Sequence, residues 1–228
     1  MSTATDGQPG TRAYFISLEG IEGAGKSTLA QALQAALVAR GLRVTLTREP
    51  GGTPLAERLR TLVLERGAER ISAEAETLLM FAARAVHVEN LIRPALARGE
   101  WVICDRFSDA TRAYQGAGRG VDADLIERLA ASVHADLWPQ RTLLLDLPVS
   151  TGLARARRRA AAGDRFEDED RRFFERVRAR YLALAAAESG RVRIVDAAAG
   201  ADSVAAAALL AIADLLPPST STAAGGAQ

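Results

Sequence analysis

The stretch GIEGAGKST at residues 20–28 constrains this chain more than any other. It fits the pattern G-x-x-x-x-G-K-[ST] on Gly20, Gly25, Lys26 and Ser27, with Ile21, Glu22, Gly23 and Ala24 between the glycines and Thr28 after. An apolar run, AYFISLE (13–19), precedes it, and a helical pattern from about Lys26 to Arg40 follows. A strand that feeds a glycine-rich turn and then a helix turns backbone N–H groups inward around phosphate oxygens, while the open helix N-terminus favours negative charge. Residues 20–28 are therefore expected to hold a nucleoside triphosphate, with Lys26 on the outer phosphates and Ser27 as a Mg²⁺ ligand. Of 29 basic residues Lys26 is the only lysine. It stands where a compact point charge is needed and a planar guanidinium does not substitute.

Short apolar runs alternate with longer helical patterns along the rest of the chain. Strands are expected at 13–19, LRVTLTR (42–48), WVICD (101–105), RTLLLDL (141–147) and RVRIVD (191–196). Helices are expected at 54–66, 73–98, 122–134, 150–162, 169–188 and 202–216, with Pro94 as a kink or break and a glycine-rich loop from Asp105 to about Gly120. Five such strands imply an α/β fold with a parallel sheet covered on both faces. Residues 1–11 and 217–228, rich in Ser, Thr, Gly, Pro and Ala, read as disordered tails around one domain at 12–216.

Composition excludes some classes. A net charge of +1 offers no field for nucleic acid or an anionic membrane. No apolar run reaches the length of a membrane span, and the first residues lack the apolar core of a secretory signal. One cysteine, Cys104, precludes an internal disulfide and suits a reducing compartment, so a cytoplasmic protein is expected. Cys104 reads as a small buried hydrophobe, and His87 and His134 as structural or surface residues.

The phosphate loop does not say what the triphosphate is for. A switch, a motor and a small-molecule kinase all carry one. In TREPGGT (47–53), Arg48 follows the second strand, where an open sheet binds ligands; it can hold an anion or be a solvated surface residue. In DRFSDATRAYQGAGRG (105–120), Asp105 can orient Mg²⁺ and Arg106 can bind a phosphate bidentately, or the two can be a surface pair. Thr111, Tyr114 and Gln115 can read a base or sugar, though Tyr114 can equally be packing. The run 153–172 is either a solvated helix laced with charge pairs or a lid that brings Arg157, Arg159 or Arg165 over a transferring phosphoryl group. Arg84, within the apolar LLMFAARAVH (78–87), must snorkel to water, pair with a carboxylate, or read something that enters the protein.

The stretches EGIEGAGKST, TREPGGT, MFAAR, DRF, AYQGAGRG and GDRFE, in this order, resemble the bacterial thymidylate kinases from Tyr14 to about Leu216. The resemblance implies a P-loop NTPase fold of the nucleoside monophosphate kinase type, with a five-stranded parallel sheet flanked by helices. It implies transfer of the γ-phosphoryl of ATP to dTMP, with Mg²⁺, giving dTDP on the way to dTTP. The family is usually homodimeric. A loop without its own arginine resembles the subtype whose catalytic arginine comes from a lid, here about 153–170. By the same resemblance Glu22 lies near the acceptor sugar and the metal, Arg48 and Arg106 grip the dTMP phosphate, and Arg84 donates to thymine O4. Thr111 and Gln115 share that ring edge, and Tyr114 crowds the 2′ position. The family often has an aromatic residue four before the base-reading arginine; here that position is Met80, with Phe81 beside it. Either can pack on the base, or both can be core. The alternatives are another nucleoside monophosphate or deoxynucleoside kinase, or an ATP-dependent switch.

Overall fold

A computed structural model of the 228-residue chain describes residues 12–65, 69–159 and 169–218, with the side chain of Arg159 excluded. The elements are β1 (Phe15–Glu19), α1 (Lys26–Val38), β2 (Val44–Arg48), α2 (Pro54–Leu64), α3 (Ala73–His87), a π-helical stretch Val88–Ile92 and α4 (Arg93–Ala97). There follow β3 (Trp101–Asp105), α5 (Ser108–Thr111), a second π-helical stretch Arg112–Gly118, α6 (Ala123–His134), β4 (Arg141–Asp146), α7 (Val149–Arg159), α8 (Arg171–Ala187), β5 (Val192–Asp196), α9 (Ala201–Ala211) and a 3₁₀ turn Ala213–Leu215. The five strands pair in the order β2-β3-β1-β4-β5, all parallel.

The central strands are buried on both faces, which is why they read as continuous apolar runs and not as alternation. Trp101, Phe15, Phe81, Phe107 and Phe174 are the largest fully buried side chains. Each contributes about 1.5–3 kcal/mol of burial. Because β1 connects to β2 on one side while β4 pairs on the other, the crevice where ligands bind in such sheets opens at the carboxyl ends of β1 and β3. Register sets the level of the site: Leu18 of β1, Asp105 of β3 and Arg48 of β2 stand side by side at that edge.

Two expectations are corrected. The glycine-rich stretch after β3 is not a loop but α5 followed by the π-helical Arg112–Gly118. Its wide turn draws Tyr114 and Gln115 inward, and Gly118 lets the Phe173 ring lie where a Cβ would stand. Such π segments recur at functional sites. Of the kink or break expected at Pro94, the break is absent: helical structure continues from Ala73 to Ala97, with the π-helical Val88–Ile92 just before α4 and Pro94 as the second residue of α4. Of the tails expected at 1–11 and 217–228, residues 1–11 and 219–228 lie outside the described residues, as does 160–168, the middle of the expected lid. Residues 153–159 of that expectation are the end of α7. No helix among the described residues is long and apolar enough to cross a membrane.

Candidate active site

The turn between β1 and α1 is built by backbone freedom. Gly25, at φ 91, caps α1 with no side-chain hydrogen bond, so the helix N-terminus stays open to an anion. Gly23, at φ 76, lies so close to Gly152 of α7 that a Cβ would strike the Gly152 carbonyl. Inside the turn Lys26 is buried, its Nζ donating to the carbonyls of Gly20 (3.0 Å) and Ile21 (3.1 Å). Burial, then the nearby Arg106 charge, pull the Lys26 ammonium down from its ordinary value to about 8. Ser27 Oγ donates to Asp105 Oδ2 at 2.9 Å, which joins the start of α1 to the end of β3.

Arg106, directly after β3, is the one described non-glycine residue with positive φ, 74°. A residue held there costs about 1–3 kcal/mol unless its surroundings fix it, and such strain clusters at functional sites. Glu19, at the end of β1 and fully buried, supplies the fixing: it accepts from the Phe107 N–H (2.7 Å) and from the Tyr181 hydroxyl (2.7 Å). Burial and the Asp109 charge push the Glu19 carboxyl up to about 8. The Arg106 guanidinium donates through Nη2 to Glu22 Oε1 (2.8 Å) and lies 4.5 Å over the Tyr114 ring, whose hydroxyl donates to Glu22 Oε2 (2.8 Å). Arg106 Nη1 is buried without a hydrogen-bond partner among the described residues.

Arg84 does not snorkel. It is 2 % exposed, stacked 4.8 Å from the Phe81 ring centroid and 5.3 Å from that of Phe107. Its Nε donates to Glu49 Oε2 at 2.7 Å and its Nη2 to Thr111 Oγ1 at 3.0 Å, while Nη1 is buried and has no hydrogen-bond partner among the described residues. Glu49 in turn faces His87 Nδ1 (3.0 Å), and His87 Nε2 faces Thr47 Oγ1 (2.7 Å). Burial alone would raise the Glu49 carboxyl, but Arg84 and His87 outweigh it and hold it below its ordinary value. Gln115 Nε2 donates to Glu76 Oε1 (2.7 Å), which also receives Arg119 (2.9 Å); Arg119 reaches on to Glu169 (2.8 Å).

The structure thus brings Lys26, Ser27, Asp105, Glu22, Arg106, Tyr114, Arg84, Thr111 and Gln115 to one end of the sheet. Arg48 is at the same level but exposed, its Nη2 donating to both Glu57 oxygens at 3.0 Å. Phe81 is core beneath Arg84, packed with Val121, Ile126 and Ala130, whereas Met80 is half-buried against the cluster that contains Tyr114. Arg157 is exposed on α7, Arg159 is the last residue of α7 with its side chain outside what is described, and Arg165 lies outside the described residues. His87 and His134 are both buried, with no surface role. Residues that the sequence reading missed are Glu19, Glu49, Glu76, Gly152 and Tyr181. None sits in a motif that marks it as buried, although a carboxylate partner was one of the three readings open for Arg84.

The family model described as thymidylate kinase matches residues 18–207. The chain is 59% identical over 184 residues to a thymidylate kinase of Pseudomonas syringae pv. tomato, covering 81% of this chain and 87% of that protein. It is 56% identical over 190 residues to one from Alcanivorax borkumensis, covering 83% and 91%. Among solved structures it resembles a thymidylate kinase from Ehrlichia chaffeensis, with a TM-score of 0.71 and 31% identity over 87% of this chain and 97% of that one.

Proposed function

The chain belongs to the thymidylate kinase family and phosphorylates dTMP with ATP, a step in dTTP synthesis; from that premise we propose how its residues divide the work. The donor polyphosphate lies in the turn of residues 20–28, on inward N–H groups and Lys26 Nζ. Lys26 then exchanges the carbonyls of Gly20 and Ile21 for phosphate oxygens. Ser27 and Asp105 fit Mg²⁺, since a hydroxyl and a carboxylate oxygen already 2.9 Å apart are hard donors that leave positions for water and phosphate. When bound, Mg²⁺ neutralises polyphosphate charge; Glu22 borders the same region.

The observation that carries the acceptor assignment is a pair of buried arginines, Arg106 and Arg84, each with an Nη1 that has no hydrogen-bond partner among the described residues. A buried donor left unsatisfied is costly, and each gains most from a ligand acceptor. Arg106 beside the phosphate turn takes the dTMP 5′-phosphate. Arg48 joins it by leaving Glu57, an exposed pair worth about 0–1 kcal/mol. Arg84 donates to thymine O4, with Thr111 and Gln115 along the same edge, Met80 on the ring face and Tyr114 toward the 2′ position. A phosphate dianion is already a nucleophile, so the protein's contribution is in-line positioning and charge neutralisation, without a general base. Arg157, Arg159 or Arg165 supplies the positive charge over the equatorial oxygens.

The enzyme works as a cytoplasmic homodimer. The buried thiol of Cys104 suits a reducing compartment, and Leu55 and Leu62 of α2 with Leu78 of α3 are about half exposed on adjacent helices. Steady-state kinetics of Arg106→Ala test the acceptor site. The expected result is a loss of about a hundredfold in kcat/KM for dTMP with the KM for ATP little changed. An unchanged KM for dTMP would remove Arg106 from the site.

A further inference from the structure

The Arg84 guanidinium is held from three sides. Glu49 takes Nε, Thr111 takes Nη2, and the rings of Phe81 and Phe107 lie against it. This leaves Nη1 as the nitrogen without a hydrogen-bond partner among the described residues. The Glu49 carboxylate is itself oriented, because its second oxygen is engaged by His87 Nδ1, and His87 is fixed at its other nitrogen by Thr47. Gly52, at φ 86, keeps this junction tight: a Cβ there would stand 2.6 Å from His87 Nε2. Thr47, Glu49, Gly52 and His87 touch no substrate in the reading above, and all but Thr47 and the glycine are fully or nearly fully buried.

We propose that Glu49, braced by His87 and Thr47, is a positioning residue that locks Arg84 in one orientation and thereby sets the preference for a pyrimidine with an acceptor oxygen at its 4-position. The proposal rests on the reading of Arg84 as the base contact. A guanidinium free to turn can offer different edges, or swing away from a mismatched base. One clamped at Nε and Nη2 presents a donor only. Thymine O4 satisfies that donor, whereas the 4-amino group of cytosine faces it with another donor and leaves both unpaired. Glu49 also keeps Arg84 from being an isolated buried charge, which would otherwise disfavour its position.

The test uses the full chain and compares kcat/KM for dTMP and dCMP, and KM for ATP, in the wild type, Glu49→Gln, Thr47→Val and Arg84→Ala. Glu49→Gln keeps the shape but loses the charge. It is expected to lower kcat/KM for dTMP about a hundredfold, chiefly through KM for dTMP, and to shrink the dTMP-to-dCMP ratio while KM for ATP holds. Thr47→Val, at the part-buried far end, is expected to shift the ratio in the same direction by about three- to tenfold, and it carries the test if Glu49→Gln does not fold. A purely structural role would lower folded yield or act equally on both acceptors, leaving the ratio at the wild-type value; that result overturns the proposal. If Arg84→Ala collapses the ratio while Glu49→Gln and Thr47→Val preserve it, the clamp is wrong and the base reading stands. If Arg84→Ala also preserves the ratio, the base reading falls and the clamp with it.

Discussion

Lys26 carries a charge that its own burial opposes. For a base whose native value is depressed from 10.5 to about 8, the unfolded chain binds more protons between those values, so this group's contribution makes stability rise as pH rises through that window. In the proposed assignment a bound polyphosphate reverses the balance, because the ammonium then gains an anionic partner. ATP binding is therefore expected to take up protons, most strongly from about pH 8 upward. Calorimetry in two buffers of different ionisation enthalpy reads this directly, and an uptake that persists in Lys26→Met would assign it elsewhere. His134 has the same sign at the acid end. Its Nδ1 faces the Leu137 carbonyl (3.1 Å) and so carries the proton, while Nε2 accepts from Ser108 (2.6 Å). Burial, then the Arg84 charge, lower it from 6.5 to about 4. Its contribution is complete above about pH 6.5 and lost as pH falls toward 4. Urea melts of His134→Gln are expected to show a flatter pH dependence than the wild type across this interval.

The phosphate turn depends on an element that no nucleotide motif contains. Gly152, in the first turns of α7, abuts the Glu22 carbonyl, and a Cβ there would lie 2.6 Å from that oxygen and 2.9 Å from Ile21 Cδ1. Gly152→Ala is expected to push the turn out of place and cost about 1–3 kcal/mol in stability, with ATP affinity falling about tenfold. Thermal melts with and without ATP check both, and a wild-type nucleotide shift would contradict it. The same scale shows why some of the fold was legible and some was not. WVICD is apolar, β-branched in part and bounded by Gly99 and Asp105, and it forms β3 over the expected residues. The stretch after it contains Gly116, Gly118 and Gly120, which read as loop. The local preference is overridden there by α8, which packs Phe173 against Gly118 and binds the carbonyls of Ala117 and Gly118 through Arg176. The catalytic motifs could be seen because each is contiguous. Glu49 and Glu19 could not be assigned: an ionisable residue reads as surface until its partner is known, and Arg84 lies 35 residues from Glu49 and Tyr181 lies 162 from Glu19.

At the scale of the whole molecule, the sheet order puts the residues proposed for donor and acceptor on neighbouring strand ends. β1 ends in the phosphate turn, β3 in Asp105 and Arg106, and β2 in Arg48 and Glu49. Three exposed leucines on α2 and α3 give the account an assembly prediction. Sedimentation is expected to report a dimer, and Leu62→Arg a shift toward monomer; a monomeric wild type at micromolar concentration would set the homodimer aside. In the proposed reading the guanidinium donors of Arg106 and Arg84, without hydrogen-bond partners among the described residues, await one acceptor nucleotide. Its most direct test is ADP release from ATP and Mg²⁺ with dTMP, with dCMP, and with no acceptor. Turnover with dTMP is expected to far exceed that with dCMP and to disappear without an acceptor. ATP consumption that is indifferent to the acceptor would contradict it.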